Sequence, residues 1–163
     1  MIGNVTNGND FHGICRYVLD KEGAYLLDSN MMGLTSTELA EEFSILLRLR
    51  PDIQKPVWHV SLSANPSEKI DDAKWKILVK DYLKRMEVSI LNYQYFIGRH
   101  IDKDYNHVHI VINRIGFNGK VYHNQWDRLR SKEICLLLEK VHGLQQTHRR
   151  DKEREIERLL QIG

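Results

Sequence analysis

The sequence predicts an α+β fold in which helices pack on one face of a central antiparallel β-sheet. Amphipathic helical stretches alternate along the chain with short runs of β-branched and aromatic residues. An Asn-Gly pair at 118–119 separates two such runs, as in a two-residue hairpin turn. Polar residues interrupt the strand candidates, which is typical of antiparallel strands and unlike the continuous apolar strands of a parallel sheet.

Length and composition allow one domain with a sizeable core. The chain has 163 residues, of which 42% are hydrophobic, and a net charge of +2, so the total charge alone does not demand a nucleic-acid partner. Cys15 and Cys135 match no metal or redox spacing and are predicted to be small core residues in a reducing compartment. Residues 1–10 lack the apolar core of a signal peptide, and no apolar run approaches the length of a membrane span. We therefore expect a cytoplasmic protein without membrane insertion.

Two helices are predicted in the first third of the chain. The first covers residues 10–19, where apolar side chains recur on one side. The second begins after Thr35 and ends before Pro51, and Glu38 stands three residues after Thr35, as in a capping box. Residues 26–33, between the two helices, are expected to form a loop.

The middle of the chain predicts three strands and one long helix. A strand over residues 57–63 follows a proline, and a helix then opens at the paired aspartates 71–72. Further strands are expected over residues 93–98 and 107–115, both rich in aromatic or β-branched side chains.

The last part of the chain divides at about residue 144. Residues 121–123 are expected to return as a hairpin partner, and a helix is predicted from Ser131 to near Gly143. We assign residues 1–144 to one domain. The remaining residues, 145–163, are densely charged and are predicted to form a charged C-terminal helix or a linker.

Three histidines within ten residues are the most informative motif. His107 and His109 are two residues apart in a β-branched run, so their side chains should leave the same face of a strand, with Cα atoms roughly 7 Å apart. His100 arrives from the preceding segment, and Asp102 and Asp104 lie between. Three imidazoles in this arrangement predict a metal site with open coordination positions, as a catalytic metal needs.

The chemistry of this set favours a catalytic divalent cation. No cysteine joins the histidines, which argues against structural zinc, while nearby carboxylates suit Mg²⁺ or Mn²⁺. Such an ion would act as a Lewis acid on a phosphoryl group. Asp102 and Asp104, in the same loop, could hold histidine tautomers from the second coordination sphere, add negative field for a cation, or simply form the loop. His59 lies on a neighbouring predicted strand and could also face the site.

A metal of this kind needs a nucleophile, and Tyr17 is the candidate. A tyrosine near the end of the first helix can attack a phosphodiester and hold the DNA covalently. Its phenol has an ordinary pKa near 10, so a metal or a base must lie close to it. Tyr25 is the local competitor, and the sequence pattern alone leaves the choice open.

With these residues in hand, the chain resembles the relaxase/mobilization nuclease family of the HUH endonuclease superfamily. The resemblance spans roughly residues 8–144. It is carried by three blocks, in the expected order: Arg16-Tyr17-Val18-Leu19-Asp20-Lys21-Glu22, Lys55-Pro56-Val57-Trp58-His59-Val60-Ser61-Leu62-Ser63, and His100-x-Asp102 followed by His107-x-His109-Ile-Val-Ile-Asn113-Arg114.

The resemblance implies an HUH-like antiparallel sheet and a strand-specific DNA transesterase that nicks a plasmid transfer origin through a 5′-phosphotyrosine intermediate. By position, Tyr17 would be the nucleophile, and Asp102 would support the three metal-binding histidines. Single-stranded origin DNA would be the substrate, with accessory mobilization proteins and a coupling protein as partners. The predicted DNA-binding residues are Ser61, Asn113, Arg114, Arg128 and Arg130.

Other functions remain open at this level. His100-x-Asp102 with a later histidine is also the spacing of a two-His-one-carboxylate iron site, although such sites need a β-rich barrel and this chain has much helix. His59-x-Ser61 suggests a two-histidine phosphoesterase, but no second such motif is present. Within the superfamily, a replication-initiator nuclease or a catalytically silent single-stranded DNA-binding domain are further alternatives.

Overall fold

A computed structural model of the chain describes residues 1–101, 107–147 and 159–161. It has five strands and four helices within these ranges. In chain order they are β1 (Ile2–Gly8), α1 (Phe11–Leu19), β2 (Tyr25–Ser29), α2 (Ser36–Leu47), β3 (Val57–Ser63), α3 (Asp72–Arg85), β4 (Tyr95–His100), β5 (His107–Asn113) and α4 (Asp127–Val141).

The five strands form one antiparallel sheet in the order β1-β3-β5-β4-β2, so the predicted α+β class with a central antiparallel sheet is confirmed. β5 is the central strand. All seven of its residues are buried, because helices cover both of its faces. The register pairs His109 with Ser61 of β3 on one side and with Gly98 of β4 on the other.

Helices pack on both faces of the sheet, which corrects the expectation of a single covered face. Along β5, Val108 and Ile110 belong to the larger core, to which α3 and α4 contribute. Val111 belongs to a second core formed with α1 and α2. Since side chains alternate across a strand, His107 and His109 share the α1 face with Val111.

The caps explain why the first two helices begin where the sequence predicts. The Asp10 side chain accepts a hydrogen bond from the Gly13 amide at the start of α1. The Thr35 side chain accepts one from the Glu38 amide at the start of α2. Each bond satisfies a backbone donor that has no partner within its helix.

One strand was not predicted, and three secondary-structure expectations were wrong. β1 lies within the polar first ten residues, and β2 occupies the start of the expected loop at 26–33. Both are edge strands, whose exposed sides carry polar residues and conceal the apolar alternation. α4 begins at Asp127, four residues before the expected Ser131, and the expected hairpin is reduced to a single bridge between Ile115 and Val121.

The early start of α4 has a specific tertiary cause. Asp127 is buried and accepts a 3.0 Å hydrogen bond from Nε1 of Trp58 on β3. A buried aspartate at the first position of a helix carries no apolar signal, so periodicity alone misses this turn.

Cys15 and Cys135 are buried free thiols, as predicted.

Candidate metal centre and active site

The three histidines of the sequence motif meet at the junction of β4 and β5. His100 ends β4 and is paired with His107, the first residue of β5. One nitrogen from each of His100, His107 and His109 lies within 4.8 Å of the others, and all three residues are buried. The predicted convergence of His100 on the other two is therefore confirmed as geometry.

The backbone of α1 fixes the orientation of His100. Nε2 of His100 lies 2.7 Å from the carbonyl oxygen of Val18. A carbonyl only accepts, so Nε2 carries the proton and donates it. In this neutral tautomer the lone pair is on Nδ1, which is therefore the nitrogen suited to bind a cation.

Tyr17 lies beside the histidine cluster, on the same helix as Val18. Its ring centroid is 5.7 Å from that of His109 and 6.2 Å from that of His100. The side chain is 58% exposed, so the phenol is accessible to a large substrate. The structure thus brings the nucleophile candidate and the metal-ligand candidates into one place.

These residues line a polar pocket of about 260 Å³. The lining consists of side chains from three adjacent strands, β1, β3 and β5, together with the end of β4 and the end of α1. Its members are Asn4, Tyr17, Lys21, His59, Ser61, Ser63, His100, His107 and His109.

Tyr25 lies elsewhere. It pairs with Arg99 of β4, whose side chain points away from His100 because neighbouring strand residues alternate. The Tyr25 hydroxyl donates a 2.7 Å hydrogen bond to Asp72 at the start of α3. Burial and this bond to a carboxylate raise the pKa of Tyr25 above its ordinary value. Tyr25 is thus remote from the histidine pocket.

Three further tyrosines are packed in the core. Burial is the main cause that raises the pKa of Tyr95 to about 12 and that of Tyr122 to about 12, and it also raises the pKa of Tyr82. A buried phenol with a raised pKa is a poor nucleophile, because its anionic form is disfavoured.

His59 is a fourth histidine of the pocket. Its Nε2 lies 2.8 Å from Nδ1 of His109, and its Nδ1 lies 3.1 Å from the Thr6 hydroxyl. Burial is the main cause that lowers the pKa of His59 to about 4, and repulsion from the His100 ring, when that ring is protonated, adds to the effect. His59 is therefore neutral near pH 7. The sequence indicated that it could face the site, and the structure places it there.

Sequence reasoning missed three pocket residues, two of which had a signal in the sequence. Ser63 follows His59 and Ser61 at the two-residue spacing of one strand face. Lys21 is four residues after Tyr17, near the end of α1. Asn4 is opposite Ser61 in the register of β1 with β3, and it could not be found without recognising β1.

Of the predicted DNA-binding residues, only Ser61 lines the pocket. Asn113 is at the other end of β5 and is fully buried. Its side-chain amide donates to the backbone oxygen of Phe43 and to Gln94, and its oxygen accepts from the Ile115 amide. These bonds give Asn113 a structural role in joining β5 to α2, and its burial leaves no surface for the predicted DNA contact.

The three predicted arginines are also distant from the histidines. Arg114 follows Asn113 and donates to the backbone oxygens of Tyr122 and Lys55. Arg128 and Arg130 lie on α4, which covers the sheet face opposite the pocket. The structure therefore does not bring these three residues to the site.

Two acidic residues of the sequence motif, Asp102 and Asp104, lie outside the described residues. The predicted support of a histidine by Asp102 thus stays a prediction.

The donor set fits a divalent cation. Three buried imidazoles place one nitrogen each around a common point, and the hydrogen bond to Val18 selects the tautomer in which His100 can contribute Nδ1. Three protein ligands leave further coordination positions for substrate, as in catalytic rather than structural sites. The three histidines could therefore hold a metal ion.

No helix within residues 1–101, 107–147 and 159–161 is both long and apolar enough to cross a membrane.

Comparison with known proteins identifies the family. No curated protein and no solved structure shows a significant match to the chain. The profile of the family described as "Relaxase: MobA/VirD2-like, nuclease domain" matches residues 17–144. This range contains Tyr17, the three histidines and most of the sheet, and it covers well over half of the chain. The chain therefore belongs to the MobA/VirD2-like relaxases and carries their nuclease domain.

Proposed function

We propose that this domain is a metal-dependent, strand-specific relaxase that nicks and rejoins DNA through a 5′-phosphotyrosine on Tyr17. The observation that carries the proposal is the position of the Tyr17 ring, about 6 Å from the rings of His100 and His109 in one accessible pocket. A nucleophile and three metal-binding candidates are the parts that a phosphodiester transesterification needs.

The reaction is an exchange of one phosphodiester for another. The phenolic oxygen of Tyr17 attacks the scissile phosphorus, and the 3′ oxygen of the preceding nucleotide leaves. The products are a 5′-phosphotyrosine link and a free 3′ hydroxyl. Because the energy of the phosphodiester is conserved, the 3′ hydroxyl can reverse the reaction, and no nucleotide cofactor is required.

His100, His107 and His109 would hold the divalent metal, with Mg²⁺ or Mn²⁺ as the expected ions. When bound, the ion would stabilise negative charge on the phosphoryl oxygens as a Lewis acid. The side chains of Asn4, Ser61 and Ser63 line the same pocket and offer amide and hydroxyl donors to the DNA backbone. Asp102 would support the histidine set.

The substrate we propose is single-stranded DNA at a plasmid transfer origin. Nicking there would take place in the cytoplasm, where accessory mobilization proteins and a coupling protein would act with the relaxase. Family membership supports these assignments. The exposure of Tyr17 also supports a polymeric substrate, since a polynucleotide cannot enter a closed cavity.

A covalent-capture experiment tests this function even when the origin sequence has not been determined. The protein is incubated with Mn²⁺ and a pool of random-sequence single-stranded oligonucleotides labelled at the 3′ end, which stays with the protein, and the products are separated on a denaturing gel. We expect a protein-linked DNA band whose captured sequences converge on a common site. Binding without any denaturant-resistant band would instead favour a catalytically silent DNA-binding domain.

The same capture, repeated with the separated strands of a mobilizable plasmid and followed by sequencing of the adducts, distinguishes two related enzymes. Capture of one strand of a mobilizable plasmid at its transfer origin is the expected result. Capture at a replication origin would instead favour a replication-initiator nuclease.

A further inference from the structure

His59 forms a hydrogen-bonded chain with one of the candidate metal ligands. Nε2 of His59 lies 2.8 Å from Nδ1 of His109, and Nδ1 of His59 lies 3.1 Å from the hydroxyl of Thr6. All three residues are on neighbouring strands, since Thr6 pairs with His59 across β1 and β3. His59 therefore contacts one metal-ligand candidate, His109, and is not itself one of the three histidines that converge.

The relative orientation of the two rings matches a true hydrogen bond. Their planes differ by 11°, and their centroids are 5.1 Å apart. The centroid separation exceeds the 2.8 Å nitrogen–nitrogen distance by about two ring radii. This relation holds when two rings lie edge to edge in a shared plane, and not when one lies above the other. The in-plane lone pair of one ring is then directed at the N–H of the other.

The hydrogen bonds that join His109, His59 and Thr6 could run in either of two directions, and only one of these directions is compatible with metal binding by His109. Nδ1 of His109 is engaged by His59, so Nε2 is the nitrogen assigned to the metal. A neutral imidazole has one N–H and one lone pair. If His59 donated to His109, the proton of His109 would be on Nε2 and would prevent metal binding there. His109 must therefore donate from Nδ1, His59 must accept at Nε2, and Nδ1 of His59 must donate to Thr6.

We propose that His59, held by Thr6, is a positioning residue that fixes His109 in the tautomer and orientation required for metal binding. The inference rests on the proposed function, because it takes the three histidines as metal ligands. In many metal sites a carboxylate or a backbone carbonyl holds a ligand histidine in this way. Here a neutral imidazole performs the same task, and a threonine hydroxyl fixes its tautomer in turn.

Metal affinity, measured in the absence of DNA, tests this role directly. Mn²⁺ binding to the full chain is followed by calorimetry, and His59→Phe is compared with His59→Gln. Phenylalanine keeps a planar ring but cannot accept, and we expect it to weaken Mn²⁺ binding about 10–100-fold. Glutamine offers an oxygen acceptor to Nδ1 of His109 and should recover part of the loss. His12→Phe, which makes the same substitution at an exposed position of α1, should leave the affinity unchanged.

A second pair of variants keeps the test valid if His59→Phe does not fold. Thr6→Val preserves the shape of the side chain and removes its hydroxyl, whereas Thr6→Ser retains the hydroxyl. We expect a several-fold loss of Mn²⁺ affinity for valine and near wild-type affinity for serine. Equal affinities for wild type, valine and serine would overturn the part assigned to Thr6.

The tautomer itself can be observed by ¹⁵N NMR of the imidazoles with diamagnetic Mg²⁺ present. The expected spectrum has His109 protonated at Nδ1 and His59 protonated at Nδ1. A proton on Nε2 of His109 would overturn the inference. Wild-type protein that binds no Mn²⁺ would contradict the metal centre of the proposed function, whereas full Mn²⁺ affinity in folded His59→Phe would contradict only the role of His59.

Discussion

His100 donates a 2.7 Å hydrogen bond from Nε2 to the carbonyl oxygen of Val18, the residue after Tyr17. This bond joins the histidine cluster to the helix that carries the nucleophile candidate. It also selects the His100 tautomer that can bind a cation through Nδ1. The relative positions of metal ligands and nucleophile therefore depend on how closely α1 packs against β4.

Gly98 sets that packing distance, so Gly98→Ala should displace α1. A Cβ atom at position 98 would clash with Cγ1 of the buried Val18 side chain. Because the β-branched side chain of Val18 is buried and stiff, we expect relief of the clash to move α1 away from the sheet and to lengthen the bond from His100 to Val18. We expect a loss of about 1–3 kcal/mol in the free energy of unfolding, measured by urea denaturation, and slower formation of the DNA adduct by the folded protein.

Gly8→Ala is the matched control, because a Cβ there would make only an ordinary contact, 3.9 Å from Val57. Unchanged stability and adduct formation in Gly98→Ala would show that α1 tolerates the larger residue, and the dependence on close packing would be wrong.

Removal of the metal should abolish nicking and leave some DNA binding. Binding draws on phosphate contacts and base stacking, whereas cleavage needs stabilisation of charge on the phosphoryl group. We expect excess chelator, or alanine at both His107 and His109, to slow adduct formation by at least about 10³-fold, since a Lewis acid contributes several kcal/mol. Fluorescence anisotropy with labelled single-stranded DNA measures the binding that remains.

Alanine at the exposed His12 and His123 is the control for loss of two histidines. Full nicking activity in excess chelator would exclude the metal-dependent mechanism.

Tyr17→Phe should bind DNA and form no covalent adduct. The substitution keeps the ring beside the histidines and removes the attacking oxygen. Because the side chain is 58% exposed, we expect a change of less than about 0.5 kcal/mol in the free energy of unfolding. Adduct formation on a denaturing gel, beside a thermal unfolding curve, measures both effects.

Tyr25→Phe serves as the comparison. It removes a hydroxyl that donates to Asp72 on the opposite side of the sheet, and it should retain adduct formation. The reverse pattern, with activity lost in Tyr25→Phe and kept in Tyr17→Phe, would identify Tyr25 as the nucleophile.

Trp58→Phe should destabilise the domain without altering its chemistry. The buried carboxylate of Asp127 would lose its 3.0 Å hydrogen bond from the indole and remain without that donor. We expect a loss of about 1–3 kcal/mol in the free energy of unfolding, with adduct formation per folded molecule unchanged. A Trp58→Phe protein as stable as wild type would show that Asp127 needs no donor from β3.

The sequence predicts the central part of the fold because its signals are local. Strand β3 has the bounds that its β-branched run predicts, and α2 begins where Thr35 and Glu38 form their cap. The convergence of His107 and His109 follows from the two-residue period of a strand. These features are encoded within single elements and do not depend on which elements lie beside them.

Features that depend on tertiary contacts were not predictable in the same way. Asn4 enters the pocket only because β1 pairs with β3, and β1 itself has a polar outer side that conceals it. In the sequence, Asn113 is a polar residue at the end of the histidine motif and therefore a candidate for DNA contact. In the structure, its side-chain amide already donates to the backbone of α2 and to Gln94. Burial of a polar side chain depends on which element covers it, and periodicity does not contain that information.

Mapping the covalent link to one residue identifies the nucleophile directly. The adduct formed with Mn²⁺ and single-stranded DNA is digested with nuclease and trypsin, and the nucleotide-bearing peptide is sequenced by mass spectrometry. Tyr17 and Tyr25 fall in different tryptic peptides, because Lys21 lies between them. We expect a 5′-nucleotide on Tyr17, in a peptide that ends at Lys21. A nucleotide on any other residue, or a nicked DNA with no protein attached, would contradict it.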